Sequence, residues 1–193
     1  INGPGSVLEH AWVGYGGHWT GGDKANLVLN TSNVTIRASV FAWSFETGVV
    51  IARLDPAYPL RLTGNTFQNN MLWPVRARPD GLWSDVSLTE NSSSGSSWNG
   101  FGLESVISGT VTFSTTASFP FMAEQGVTVA AGATLTVAPG TTFKLYNKAL
   151  TADGRLLARG TAADPIIFTS LRDDAHGGNA DGADIPPGMG DWE

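Results

Sequence analysis

Apolar and polar residues alternate in short runs along most of the chain, and the runs recur at a fixed interval. Gly48-Val49-Val50-Ile51, Pro74-Val75-Arg76-Ala77, Gly100-Phe101-Gly102-Leu103 and Gly126-Val127-Thr128-Val129 begin at positions 48, 74, 100 and 126, a step of 26 each time. A second row, Val34-Thr35-Ile36, Leu60-Arg61-Leu62, Val86-Ser87-Leu88 and Val111-Thr112-Phe113, advances by 26, 26 and 25. Alternation with period two is strand periodicity. A fixed period of 20–50 residues marks stacked repeats, in which each unit buries its apolar face only against its neighbours. Each turn of chain therefore carries at least two short strands lying over their equivalents in the previous turn, which describes a parallel β-solenoid.

The first turn fits the same scheme if Leu8 lies over Ile36 and Val13 over Phe41, with a longer step of 28 and a wide loop at residues 16–23. Ser39, Asn65 and Asn91 also step by 26. They form either a side-chain ladder that satisfies backbone groups at a corner or a set of ordinary turn residues. After Gly126 the rhythm shortens. Val127-Thr128-Val129, Leu135-Thr136-Val137 and Phe143-Lys144-Leu145 recur every 8 residues. Three such faces close one triangular turn of about 24 residues. Leu150, Arg155–Ala158 and Pro165–Phe168 continue the winding. The expected architecture is all-β, a single parallel β-helix over 1–193 of about 7 turns of 24–28 residues. It has longer turns over 1–125, compact ones over 126–170, and an acidic Gly/Pro loop over 171–193.

Composition narrows the function classes. With 41% hydrophobic residues the chain is not disordered, and with 15% charged residues it is poor in ionic groups. The net charge is −6 and no basic stripe occurs, so nucleic acid is not an expected partner. No apolar run reaches the length of a membrane span, so membrane insertion is not expected. The absence of cysteine excludes disulfides and thiolate metal sites.

The stretches Gly132–Lys144 and Gly154–Ser170, followed by an acidic loop and Gly190-Asp191-Trp192, resemble bacterial extracellular right-handed parallel β-helix repeat proteins of the pectin-lyase-like fold. So does Ser6-Val7-Leu8-Glu9-His10-Ala11-Trp12-Val13. The resemblance implies a right-handed coil and an extracellular or cell-surface location, but no single activity. In such proteins the Gly-Asp-Trp motif shortly precedes a strand like the one at residues 6–13, whereas here the motif comes last and the strand first. This order suggests one period of a tandem array, or a subunit that joins copies of itself head to tail through its terminal turns.

Candidate chemistry is sparse. Asp173, Asp174, Asn179, Asp181 and Asp184 crowd one loop, and Asn179-Ala180-Asp181-Gly182 has part of the oxygen-ligand spacing of calcium loops. They are candidate calcium ligands or else a solvated acidic loop. His10, His18 and His176 show no zinc spacing. Trp73, Trp83 and Trp98, with Trp19, lie in or beside loops and either grip a glycan or cover the solenoid's corners. Asp80 and Asp85 flank Trp83. The outward positions Glu9, Thr35, Arg61, Ser87 and Thr112 offer one carboxylate and one guanidinium two turns apart. That is roughly 9–10 Å, too far for a retaining glycosidase pair. The expectation is a non-enzymatic structural module such as an adhesin, stalk or sheath, needing no cofactor unless calcium. A polysaccharide-binding module is the alternative, with a polysaccharide lyase or hydrolase behind it.

Overall fold

The computed structural model describes residues 1–17, 23–79, 82–116, 118–123 and 125–193. Four windings of three strands come first: β1 (Ser6–Glu9), β2 (Trp12–Gly14) and β3 (Ala25–Leu29); β4 (Val34–Arg37), β5 (Val40–Ala42) and β6 (Thr47–Ile51); β7 (Leu60–Thr63), β8 (Thr66–Gln68) and β9 (Trp73–Ala77); β10 (Val86–Thr89), β11 (Ser92–Ser94) and β12 (Phe101–Leu103). Three further groups follow: β13 (Ser105–Ile107), β14 (Thr110–Thr115) and β15 (Phe121–Ala123); β16 (Val127–Val129), β17 (Thr134–Val137) and β18 (Thr142–Leu145); β19 (Leu150–Ala152), β20 (Arg155–Ala158) and β21 (Ile167–Ser170).

Every strand pairs in parallel with its equivalent one winding away. The first sheet runs β1-β4-β7-β10-β14-β17-β20 and the third runs β3-β6-β9-β12-β15-β18-β21. Seven strands make six steps, so the coil has about six windings rather than about seven. The other side of the coil changes partway along. In the upper windings β2-β5-β8-β11 form a second sheet on the path from first to third; in the lower ones β13-β16-β19 form a fourth sheet on the return path. The 8-residue rhythm of β16, β17 and β18 gives the triangular cross-section that its spacing predicts, since the three strands belong to three different sheets.

Register follows the period. Ile36 lies over Leu62 and Leu62 over Leu88. Leu8 lies over Ile36 and Val13 over Phe41, across the longer first step. Two expectations are corrected. Val86 pairs with Phe113, not Val111, and Leu88 with Thr115. A slip of two residues leaves every side chain on its own face, so alternation alone cannot distinguish the registers. The observed one seats the Trp83 ring against Phe113 at 5.3 Å and lets Asp85 Oδ1 accept from Thr112 N at 2.6 Å. The fourth member of the 26-residue row is likewise displaced. β12 stacks on β15, so Phe101 meets Phe121, while Val127 belongs to the fourth sheet opposite Ser105. The winding between Phe101 and Phe121 is shorter than 26 residues, and the numerical coincidence at Val127 falls on another face.

Inward side chains form one continuous apolar column from Leu29 to Leu145. Phe41 stacks on Phe67 at 5.4 Å. Below Phe67 the paired residue is only Ser93, and the Phe119 ring fills the space at 5.5 Å. Phe113, Phe121, Phe143 and Phe168 continue the stack at 5.1–5.5 Å.

The corners are hydrogen-bonded ladders. Asn65 Oδ1 accepts from Ser39 N, Asn91 Oδ1 accepts from Asn65 N, and the two carboxamides donate to the carbonyls of Ile36 and Leu62. The Ser39–Asn65–Asn91 column is thus a true ladder. A second one stands across the sheet, where Asn70 bonds Ser44 N and the carbonyl of Phe41. Residues flanking the second sheet adopt positive φ in register: His10, Ala38, Gly64 and Glu90 before it, and Tyr15, Trp43, Asn69 and Gly95 after it.

Candidate functional site

The acidic C-terminal loop folds back over the outer face of the third sheet, and its centre is a lysine. Lys144 points outward from β18, where an isolated strand would leave it in water, yet it is fully buried. Its ammonium donates to the carbonyls of Asp173 at 2.9 Å and Gly178 at 2.5 Å. Burial pushes its pKa down from the ordinary lysine value, opposed by the charges of Asp174, Asp173 and Asp181. The loop therefore wraps a cation that the chain itself supplies.

Of the five candidate calcium ligands, the four carboxylates are not gathered into a group of three. Among the described residues no three His, Cys, Asp or Glu side chains group so as to hold a metal ion. Asp173 accepts from Thr169 Oγ1 and Ala175 N and pairs with His176 Nδ1 at 2.8 Å. Burial raises its pKa, but those hydrogen bonds and the His176 charge outweigh it and hold the carboxyl below its usual value. Asp181 accepts from Ala183 N, and Asn179 donates to the Ala183 carbonyl. Asp174 and Asp184 are exposed.

The Gly-Asp-Trp motif anchors the end of this loop. Asp191 accepts from Ser170 Oγ at 2.6 Å and Gly188 N at 2.9 Å, and faces Arg172 at 3.5 Å. Its carbonyl receives Asn147 N at 2.7 Å. The Ser170 hydrogen bond first, then Gly188 N, hold its pKa below the usual carboxylate value. Arg172 lies over the Tyr146 ring and donates to its hydroxyl.

The tryptophans singled out for glycan contact mostly line the interior. Trp73 and Trp83 are each only 2% exposed. Trp73 lies over Gly102, whose absent side chain makes room for the ring, and stacks on half-buried Trp98 at 5.5 Å. With Met122, Leu171 and Ala180 they form a second apolar cluster under the C-terminal loop. Trp83 Nε1 donates to the Val106 carbonyl. Neither buried ring offers a face to a sugar. Of the two alternatives the sequence leaves open for these rings, glycan contact or cover for the solenoid's corners, burial of Trp73 and Trp83 favours the second. Burial of Trp73 depends on a segment about a hundred residues downstream, which local pattern does not reveal. Trp19, His18 and Asp80 lie outside the described residues. His10 is exposed at a corner. The outward column is corrected to Val7, Thr35, Arg61, Ser87 and Ser114, and Glu9 instead bonds Arg37 at 2.6 Å.

What sequence reading missed is an aromatic cluster on the second sheet. Trp12, Tyr15 and Trp43 are 56%, 75% and 50% exposed, and their rings touch in series. The signal was available in the 28-residue step that places Tyr15 over Trp43. No helix among the described residues is long and apolar enough to cross a membrane. Comparison of the chain with protein-family models, curated proteins and solved structures gives no match in any of the three.

Proposed function

We propose that this chain is a non-enzymatic, extracellular structural module, a rigid segment of a longer β-helical array or head-to-tail filament. The observation that carries the reading is the unbroken parallel stacking of the first and third sheets, seven strands each, around one continuous apolar column. The same two sheets, first and third, present an edge strand at each end. Such edges are templates for further parallel strands, and an upper surface that accepts a lower one propagates without closing. The right-handed sense is proposed on the general chirality of parallel crossovers. The cell-surface setting is proposed on the resemblance carried by residues 132–170.

The test is the size distribution of the 193-residue chain by sedimentation and negative-stain imaging over a wide concentration range. Association into rods that lengthen with concentration is expected. Leu156→Asp, which charges the lower end of the column, should abolish it while the variant keeps a cooperative thermal transition, at a lowered melting temperature because Leu156 packs on the core. A monomer at every concentration overturns the head-to-tail reading.

A further inference from the structure

We propose that the outer face of the second sheet, headed by Trp12, Tyr15 and Trp43, is a binding shelf for an uncharged polysaccharide. The proposal is independent of the assembly reading above.

Three observations converge on it. First, the backbone corners and the rings' own contacts set where they stand. Trp12 points outward from β2 and its ring lies across Gly14, where an added Cβ would sit 2.4 Å from it. Tyr15 and Trp43 occupy equivalent corners one winding apart. Each has positive φ, and each N–H donates to the next winding, to the carbonyls of Ala42 and Gln68. The same corner conformation sends both side chains the same way, so the two rings stack, with planes 11° apart and centroids separated by 6.3 Å. Trp12 closes on Tyr15 at 5.6 Å. Rings already placed against one another need less ordering on binding.

Second, the chemistry changes down the same face. Below the rings the outward positions become half-buried Thr66 and exposed Gln68, then exposed Ser92 and Ser94, all hydroxyl or carboxamide. A pyranose has an apolar C–H face and an edge of hydroxyls. Amphipathic aromatic rings suit the first, and side chains that both donate and accept suit the second. An apolar protein partner or a lipid surface would instead require the greasy patch to continue.

Third, no residue in β2, β5, β8 or β11 is charged. Nucleic acid also stacks on aromatic rings, but its phosphates require clustered cations. The nearby Arg37 is already held by Glu9. The missing charge equally disfavours uronate polymers. Windings recur at about 4.8 Å, close to the length of one sugar in an extended β-linked chain, so successive windings supply successive subsites.

Calorimetric titration with neutral β-linked gluco-, xylo- and manno-oligosaccharides, and with oligogalacturonate as the acidic control, tests this. At least one neutral series should bind with affinity rising from disaccharide to hexasaccharide, and the acidic control should bind more weakly. Tyr15→Ala and Trp43→Ala should each weaken binding about tenfold with the melting temperature unchanged, because both rings are substantially exposed. Gln68→Ala, which keeps all three rings, should weaken it several-fold and serves if an aromatic variant fails to fold. Failure of every neutral oligosaccharide to bind at millimolar concentration overturns the proposal, as does full affinity in the Tyr15→Ala/Trp43→Ala protein. Loss of self-association in that double variant, with no sugar binding by the parent, would assign the rings to a second copy instead.

Discussion

At the scale of single residues, buried amides decide more than exposed charges. Asn65 occupies a dry corner and satisfies Ser39 N and the Ile36 carbonyl. Asn65→Ala removes the carboxamide from both, and a buried polar group that loses its partner costs about 1–3 kcal/mol. A loss of about 3 kcal/mol in denaturant unfolding is expected, whereas Thr35→Ala on the exposed face should change stability by less than about 0.5 kcal/mol. This ladder was legible because Ser39, Asn65 and Asn91 repeat the strand period. The Ser44–Asn70 ladder has the same spacing and went unread because its members resemble ordinary turn residues. Lys144 was illegible for another reason: within Thr142–Leu145 it reads as a solvent-facing position, and only a loop folding back from some thirty residues later buries it. The carboxyl of Asp191 gives that loop a pH dependence with a definite sign. Its folded pKa lies below the unfolded value of about 3.9, so its contribution is full above that value and is lost as pH falls through the folded pKa. Hydrogen exchange should show the hydrogen-bonded amides of residues 171–193 protected at neutral pH and released as the pH falls through that lowered folded pKa, and Asp191→Asn should loosen them at neutral pH as well.

At the scale of elements, a strand here is defined by what it lies upon. β7 is only four residues long, and alone it would have no stability. It holds because Leu60 and Leu62 meet equivalents on the adjoining strands. Leu62→Asp places a carboxylate in the middle of the column with no cation near it, a penalty of several kcal/mol. The variant is expected to lose its cooperative thermal transition in circular dichroism; a melt like the parent's would mean that Leu62 is not in the core. The strand rows at 34, 60 and 86 were correctly legible as one ladder. The misreadings at Val111 and Val127 share one cause. Period-two alternation fixes which face a residue occupies but not its register to within two residues, nor which sheet a strand joins. Those were decided by bulky neighbours, Trp83 against Phe113 and Phe119 over Ser93.

At the scale of the whole molecule, the coil is a column with two unlike halves. The second sheet lines only the upper windings and the fourth only the lower ones, while the first and third run throughout. That division separates the proposed roles: the continuous sheets carry the stacking that extends end to end, and the short second sheet carries the aromatic shelf. Both roles require that equivalent positions lie directly above one another. Distances between paired spin labels measure this most directly, since the chain has no native cysteine to compete with introduced ones. Labels at Val7, Thr35, Arg61, Ser87 and Ser114 share one outward column. The account predicts that separation from Val7 grows evenly, by about 4.8 Å per winding, to roughly 19 Å at Ser114. A distance that fails to increase with winding number, or that places Val7 nearer to Ser87 than to Thr35, would contradict the parallel solenoid.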